Sequence, residues 1–151
     1  MPGALAHSQS EVIRKALVNL SLGTDANLSP LQAWPVYANG EPDTPDSAIT
    51  VYDSAGRDGG REMINGERQE FHGFQVRVRA AARNTGYAKA RAIAVAMDES
   101  VYQNSVVIGA NTYLLHSIFR TSDVLDIGRE RPTSERRIFT INGLAMIRQT
   151  V

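Results

Sequence analysis

The chain has 151 residues, of which 42% are hydrophobic and 21% are charged, a composition that is typical of one globular domain and excludes a disordered protein. Sixteen basic residues balance sixteen acidic ones, and zero net charge argues against a general nucleic-acid binder, whose affinity comes from neutralising phosphates. The sequence has no cysteine, which excludes disulfides, thiolate zinc sites and thiol nucleophiles.

The beginning of the sequence lacks a secretory signal pattern, and no segment approaches the ~18 apolar residues of a membrane span. We therefore expect a soluble protein that stays in the cell that makes it. Residues 1–7 are predicted to be a loose N-terminus. Ser8 and Glu11 then have the spacing of a capping box, and apolar residues recur on one face of an amphipathic helix predicted at 9–22.

A second amphipathic helix is predicted at about 86–99, where Ala90, Ile93, Ala94 and Met97 form an apolar stripe. Period-two alternation and β-branched or aromatic residues predict strands at 32–38, 48–53, 71–81, 105–108, 112–121 and 136–148, with a possible extension of the pairing at 123–127. This order predicts a single α+β domain over residues 1–151, with a mainly antiparallel β-sheet and two α-helices packed on it.

The last predicted strand has apolar residues on both faces. One face carries Phe139, Ile141, Ala145 and Ile147, and the opposite face carries Ile138, Leu144 and Met146, with Gly143 as a predicted β-bulge. A strand of this kind is either covered on both sides or buried against another subunit.

Residues 54–70, SAGRDGGREMINGERQE, separate two predicted strands and hold four glycines and seven charged residues around Met63 and Ile64. The segment has neither a lysine-containing phosphate-loop motif nor a following helix, so a nucleotide site is disfavoured. We expect a mobile hairpin loop.

The sequence contains little that points to catalysis. His7, His72 and His116 stand in no metal-ligand spacing, and no serine has a nearby histidine and acid from which a triad could be proposed. The interpretation is a non-enzymatic protein with no cofactor and no metal.

Arginine dominates the basic residues, with only Lys15 and Lys89 as lysines. Arginine favours flat, bidentate contacts at interfaces, but a nucleotide bias of the genome would produce the same ratio. Two arginine groups stand out. Arg77 and Arg79, with Arg83 just beyond the strand, share the outer face of the strand at 71–81, and a second group surrounds Glu130 and Glu135 in the late turn before the last strand. A solvated face and a subunit-facing surface remain equally open for them.

Three stretches together resemble one family: SAITVYDSAG at 47–56, FHGFQVRVRAAARNTGYAKARAIAVAM at 71–97 and TSDVLDIGRERPTSERRIFTING at 121–143. They are similar, in this order, to the tail terminator and minor capsid proteins of long-tailed bacteriophages. The resembling motifs are structural rather than catalytic.

The resemblance implies a hexameric ring that docks on the last ring of the tail tube protein, stops tail growth and prepares the junction with the head–tail connector protein. The implied location is the virion, with the host cytoplasm during assembly. DNA would pass through the ring without specific nucleic-acid binding. The docking loop would use Arg57, Arg61, Glu62, Met63, Ile64, Glu67 and Arg68, and the subunit interface Arg77, Arg79, Arg129, Arg131, Arg136, Arg137, Ile138, Leu144 and Met146.

Two alternatives stay open at this point. A head-side completion protein would sit at the same junction as a tail terminator. A nucleic-acid module would use Arg77, Arg79, Arg83 and the late arginine turn, and its binding would weaken steeply with salt.

Overall fold

The structure, a computed structural model, describes residues 5–66, 68–99 and 105–149. Its elements in chain order are α1 (Gln9–Asn19), β1 (Thr24–Asp25), β2 (Pro35–Ala38), β3 (Ala48–Arg61), β4 (Arg68–Ala80), α2 (Arg83–Glu99), β5 (Ser105–Ile108), β6 (Asn111–Arg120), β7 (Leu125–Arg129) and β8 (Arg137–Gln149).

The strands form one sheet in the order β1-β2-β3-β4-β8-β6-β5, and β7 pairs with β8 beside that path. The pairs β1–β2 and β2–β3 are parallel, whereas the other pairs are antiparallel. The sheet is therefore mixed: the predicted antiparallel pairing holds from β3 onward, and the parallel pairing of the first strands corrects it there. Their parallel direction follows from the long turn-rich segment between β2 and β3, which returns the chain to the same end of the sheet.

Helix α1 contacts β2 near one edge of the sheet and β5 at the other edge, which requires the sheet to curl around the helix as a half-barrel. Helix α2 packs on β4, β8 and β6. Alternate residues of the central strands, such as Val76, Phe139 and Ile141, are fully buried with both helices in one hydrophobic core. Both helices therefore cover the same face, which we call the inner face of the sheet.

Part of the N-terminus that was expected to be loose is anchored at Ala6 and His7, whereas residues 1–4 of that prediction lie outside the described residues. The backbone N–H of His7 donates to the Tyr113 hydroxyl at 3.0 Å, and that of Ala6 donates to the Gln149 side chain at 3.0 Å. The Ser8 backbone N–H donates to the Glu11 carboxylate at 3.0 Å, which is the reciprocal bond of the predicted capping box.

The predicted bulge at Gly143 is wrong. Gly143 pairs in register with Phe74 on one side and Arg120 on the other. A Cβ there would lie 2.6 Å from the Phe74 ring. Glycine at this position therefore allows the Phe74 ring to pack closely, and it does not accommodate the extra residue of a β-bulge. The irregularity in β6 lies instead between Leu115 and Ser117.

Candidate functional site

Residues 54–66 and 68–70 form a β-ribbon with its turn, rather than a long loop. Strand β3 continues to Arg61 and β4 starts at Arg68, and the two pair with irregularities near Gly56 and Gly60. A Cβ on Gly56 would lie 2.1 Å from the Phe71 carbonyl oxygen, so the glycine permits the two backbones to approach. Gly56, Gly59 and Gly60, which made the segment look like a loop, therefore lie within the paired strand β3, whereas Gly66 lies in the turn.

The end of this ribbon, residues 62–66, is the hairpin tip. Met63 is 94% exposed and Ile64 is 100% exposed, and a Gly66 N–H to Glu62 carbonyl hydrogen bond of 2.8 Å closes the turn. Because removing apolar surface from water is favourable, a partner that covers these two side chains would gain binding free energy. Of the other predicted docking residues, Arg57 and Arg61 lie exposed on the ribbon, the side chain of Arg68 is not described, and Glu67 lies outside the described residues.

The face of the sheet opposite the helices, which we call the outer face, has two different halves. One half is covered by residues 39–47, a segment that we call the strap. The Arg79 guanidinium donates to the carbonyl oxygens of Pro45 at 2.6 Å and Asp46 at 3.3 Å. These bonds hold the strap against the sheet.

Charged side chains converge under the strap. Arg79 is only 1% exposed and lies 3.7 Å from a Glu41 carboxylate oxygen and 3.5 Å from a Glu130 oxygen. Arg136 lies 2.6 Å from Glu130 and 2.9 Å from Asp43. These ion pairs join the strap to the turn that precedes β8.

The cluster combines directed hydrogen bonds with ion pairs that lack hydrogen-bond geometry. Among the described residues, four of its buried polar atoms lack a hydrogen bond of good geometry, namely Glu41 Oε1, Thr50 Oγ1, Arg77 Nε and Glu130 Oε2. Burial raises the pKa of Glu41 above its ordinary value, against the opposing attraction of Arg77 and Arg79. Desolvation therefore outweighs pairing for this carboxylate.

The other half of the outer face is apolar and has no cover from the described residues. Leu144 and Met146 are half-buried there, and Phe119 is 39% exposed. The Phe119 ring meets the Phe71 ring edge-on with centroids 5.8 Å apart, and the Arg57 guanidinium lies 5.3 Å above Phe71. We call Phe71, Phe119, Leu144 and Met146 the apolar sheet patch, and Arg57 lies at its border.

The structure separates the predicted interface residues into three groups. Arg79 and Ile138, adjacent in register, are both buried within the subunit, which corrects their assignment to a subunit interface. Leu144 and Met146 lie on the outer face, as their alternation predicts. The remaining arginines border the strap or the late turn, and they are Arg77, Arg129, Arg131, Arg136 and Arg137.

Sequence reasoning missed the strap and the aromatic members of the apolar sheet patch. The strap residues have ordinary turn chemistry, and their carboxylates meet the arginines only through distant pairing along the chain. Phe71 and Phe119 each lie near a strand irregularity, which obscured the face to which they belong. Phe71 lies opposite Arg57 and Phe119 lies opposite Leu144 because of the register of the paired strands, which the sequence alone does not give.

No group of His, Cys, Asp or Glu side chains able to hold a metal ion occurs within the described ranges 5–66, 68–99 and 105–149. Over the same ranges no helix is long and apolar enough to cross a membrane. An exposed apolar hairpin tip and an uncovered apolar half of the outer sheet face are features typical of proteins that contact other proteins through these surfaces.

The sequence profile of the bacteriophage tail terminator protein family matches residues 16–141, and the chain belongs to this family. The family consists of phage structural proteins rather than enzymes, so the chain is a structural protein of a bacteriophage virion.

A solved chain from the virion of a native gene transfer agent particle has a similar fold, with a TM-score of 0.55 and 16% identity over 96% of this chain and 98% of that chain. A second solved chain is 16% identical over 90% of this chain and 91% of its own length, but its TM-score of 0.45 is too low to establish a shared fold. Comparison with curated proteins gives no match.

Proposed function

We propose that this protein closes the end of the phage tail tube as a hexameric ring, with the hairpin tip as its contact with the tube protein. Membership of the tail terminator family supports the role. The observation that carries the tube contact is the exposure of Met63 and Ile64, at 94% and 100%, at the end of the ribbon.

The ribbon is suited to this contact because it combines reach with order. Beyond Ser54 and Gly73 its two strands still pair through Arg57–Phe71 and Arg61–Arg68. A paired ribbon loses less conformational entropy on docking than an open loop of the same length. Met63 and Ile64 supply apolar anchors, and Arg57, Arg61 and Glu62 orient the contact through charge.

Repeated contacts between copies would form the ring, and the apolar sheet patch is the surface best suited to them. The partners are further copies of the chain, the tail tube protein and the head–tail connector protein. The ring works at the head–tail interface of the virion, assembles in the host cytoplasm and lets DNA pass without sequence-specific binding.

The tube contact is tested by replacing Met63 and Ile64 together with Ser. Because Ser removes the apolar anchors without touching the paired strands, we expect folded protein but tails of irregular, extended length in electron micrographs of assembled particles. The matched control replaces Leu28 and Leu31 with Ser, which also removes two exposed apolar side chains, at 49% and 43% exposure. Tails of normal length in the tip variant would rule out the tip as the tube contact.

A head-side completion protein at the same junction remains the closest alternative. It would use the same hairpin tip against a connector rather than a tube. Purified tube protein distinguishes the two, because a tail terminator binds the ends of tube polymers and a head-side protein does not.

The arginine-based nucleic-acid module has less support. Its arginines face carboxylates in the fold: Arg77 pairs with Glu41, Arg83 pairs with Asp126 at 3.1 Å, and the late arginines pair with strap and turn acids. Arginines engaged in this way make a poor continuous track for phosphates. DNA retardation that disappears with added salt would favour this alternative.

A further inference from the structure

The N-terminal end of α1 is joined to both strands of the ribbon near their root. The Gln9 side chain donates through Nε2 to the Gly73 carbonyl oxygen of β4 at 3.0 Å. The backbone N–H of Ser10 donates to the Asp53 carboxylate of β3 at 2.9 Å. The first turn of one helix therefore holds the two strands at the point where the ribbon begins.

The bond between Ser10 and Asp53 follows from the way in which α1 is capped. The first N–H groups of a helix have no partner within the helix. The capping box uses the N–H groups of Ser8 and Glu11, and the Ser10 N–H between them is taken by Asp53. A carboxylate is favourable at the positive end of a helix dipole. The helix end and the strand therefore stabilise each other.

Asn39 ties the same two groups together. Its Nδ2 donates to the Ser10 hydroxyl at 2.6 Å and to the Asp53 carboxylate at 3.0 Å, and its Oδ1 accepts the Asp53 backbone N–H at 3.1 Å. Asn39 has a φ of 56°, in the left-handed region where asparagine is enriched among residues other than glycine. The Ser10 side chain is fully buried. We call Gln9, Ser10, Asn39 and Asp53 the root clamp.

Regular strand pairing ends just beyond the root clamp. Ser54 pairs with Gly73, and the next pair, Arg57 with Phe71, follows a register shift. Such an irregularity interrupts the ladder of hydrogen bonds and bends the strand. Residues 54–66 are all exposed, so this side of the ribbon gains little support from the core. The direction of the ribbon therefore depends on how its root is held.

We propose that the root clamp is the device that aims the hairpin tip. This inference rests on the proposed tube contact and specifies what positions it. Gln9 and Asp53 are positioning residues, because they act through the ribbon. With the clamp closed, Met63 and Ile64 are held in one direction relative to the core. With the clamp open, the ribbon turns at the register shift, and docking then carries the cost of ordering it.

Gln9→Glu tests the clamp without weakening the helix. Glutamate has nearly the size of glutamine but no donor for the Gly73 carbonyl oxygen, and its charge is favourable in the first turn of α1. The absence of cysteine allows spin labels at the exposed positions Ile64→Cys on the tip and Ala92→Cys on α2. We expect a broader distribution of distances between the labels by pulsed electron paramagnetic resonance, with the free energy of unfolding unchanged or higher.

Asp53→Ala opens the clamp on the other strand and should also broaden the distribution. The matched control is Arg14→Met, because Arg14 also anchors α1 to the sheet, with Nε 2.8 Å from the Val36 carbonyl oxygen, but does so away from the ribbon. The control should lose stability and keep a narrow distribution. Gln9→Glu decides the question if circular dichroism shows that Asp53→Ala does not fold. A narrow distribution in folded Gln9→Glu, or an equally broad one in Arg14→Met, would overturn the clamp.

Binding to the ends of tube polymers separates the clamp from the tube contact itself. We expect Gln9→Glu to bind about tenfold more weakly, which corresponds to about 1.4 kcal/mol of ordering cost. Unchanged affinity despite a broadened distribution would overturn the role of the clamp in docking and leave the tube contact standing. Unchanged affinity after replacement of Met63 and Ile64 with Ser would instead overturn the tube contact, while the label distances still decide whether the clamp holds the ribbon.

Discussion

Arg79 is a charged residue that is as deeply buried as the apolar residues of the core. It lies beside Ala48 and Ile138 in the sheet register, and both are also buried. Burial removes water from its guanidinium, and two strap carbonyl oxygens and two carboxylates take the place of that water. A buried cation of this kind is tolerated only while its partners stay in place.

Replacing Arg79 with Met should lower the free energy of unfolding by about 3–5 kcal/mol, because Glu41 and Glu130 would remain buried without their shared counter-charge. Urea denaturation measures the change. The matched control is Arg77→Met on the same strand and face, whose more exposed side chain should make the loss much smaller. Equal losses in the two variants would contradict a special role for Arg79.

Glu41 gives a prediction about pH. Burial raises its pKa, so the folded state holds the proton more tightly than the unfolded state. The contribution of Glu41 to the free energy of unfolding is therefore fully present below its ordinary pKa of 4.5, and it is lost as pH rises through its higher pKa in the folded state. Glu41→Gln should therefore gain stability relative to the natural protein as pH rises from about 4 to neutrality, measured by urea denaturation at several pH values.

Asp43 supplies a control of opposite sign. The hydrogen bond from Arg136 lowers its pKa, so its contribution is present above the ordinary value of 3.8 and is lost as pH falls through the lower folded value. Asp43→Asn should therefore lose stability relative to the natural protein as pH rises. The same direction of change in both variants would contradict the proposed environment of one of them.

At the scale of elements, the closeness of α2 to the sheet depends on one small residue. A Cβ on Gly86 would lie 2.7 Å from the Phe139 ring and 2.9 Å from the Ala80 Cβ. Glycine is otherwise unfavourable in a helix, so its presence in α2 is explained by the lack of room for a side chain between the helix and the sheet.

Gly86→Ala should lower the free energy of unfolding by about 1 kcal/mol. The overpacking cost of about 1–3 kcal/mol exceeds the gain of about 1 kcal/mol in helix propensity. Gly40→Ala is the control, because no atom lies within 4 Å of a Cβ added there, and its stability should stay within about 0.5 kcal/mol of the natural protein. A more stable Gly86→Ala protein in thermal or urea denaturation would show that the helix can move away.

At the scale of the whole molecule, assembly and stability are linked. A ring that forms only from folded subunits stabilises them by mass action, so its melting temperature rises with protein concentration. Replacing Leu144 and Met146 with Ser should abolish that dependence and leave the melting temperature of dilute protein lowered only modestly, because both side chains are half-buried. Calorimetry over a range of concentrations, with sedimentation alongside, measures both effects. A melting temperature independent of concentration in the natural protein would contradict stable self-assembly.

The sequence by itself determined the features that depend on near neighbours. Alternation identified the buried row of Phe74, Val76 and Val78, and the apolar stripe of α2 was correctly assigned to the core. The order of motifs also indicated the phage tail terminator family, which the sequence profile confirms. These properties follow from side-chain period and local motif order, which distant contacts do not alter.

The tertiary structure alone decided which exposed-looking residues are buried and which loop-like residues are paired. The strap reaches Arg79 across more than 30 positions of chain, and Arg136 reaches Asp43 across more than 90. The ribbon of β3 and β4 exists because glycines that weaken local propensity allow close pairing between strands. Such outcomes depend on which distant segments meet, and local periodicity carries no information about that meeting.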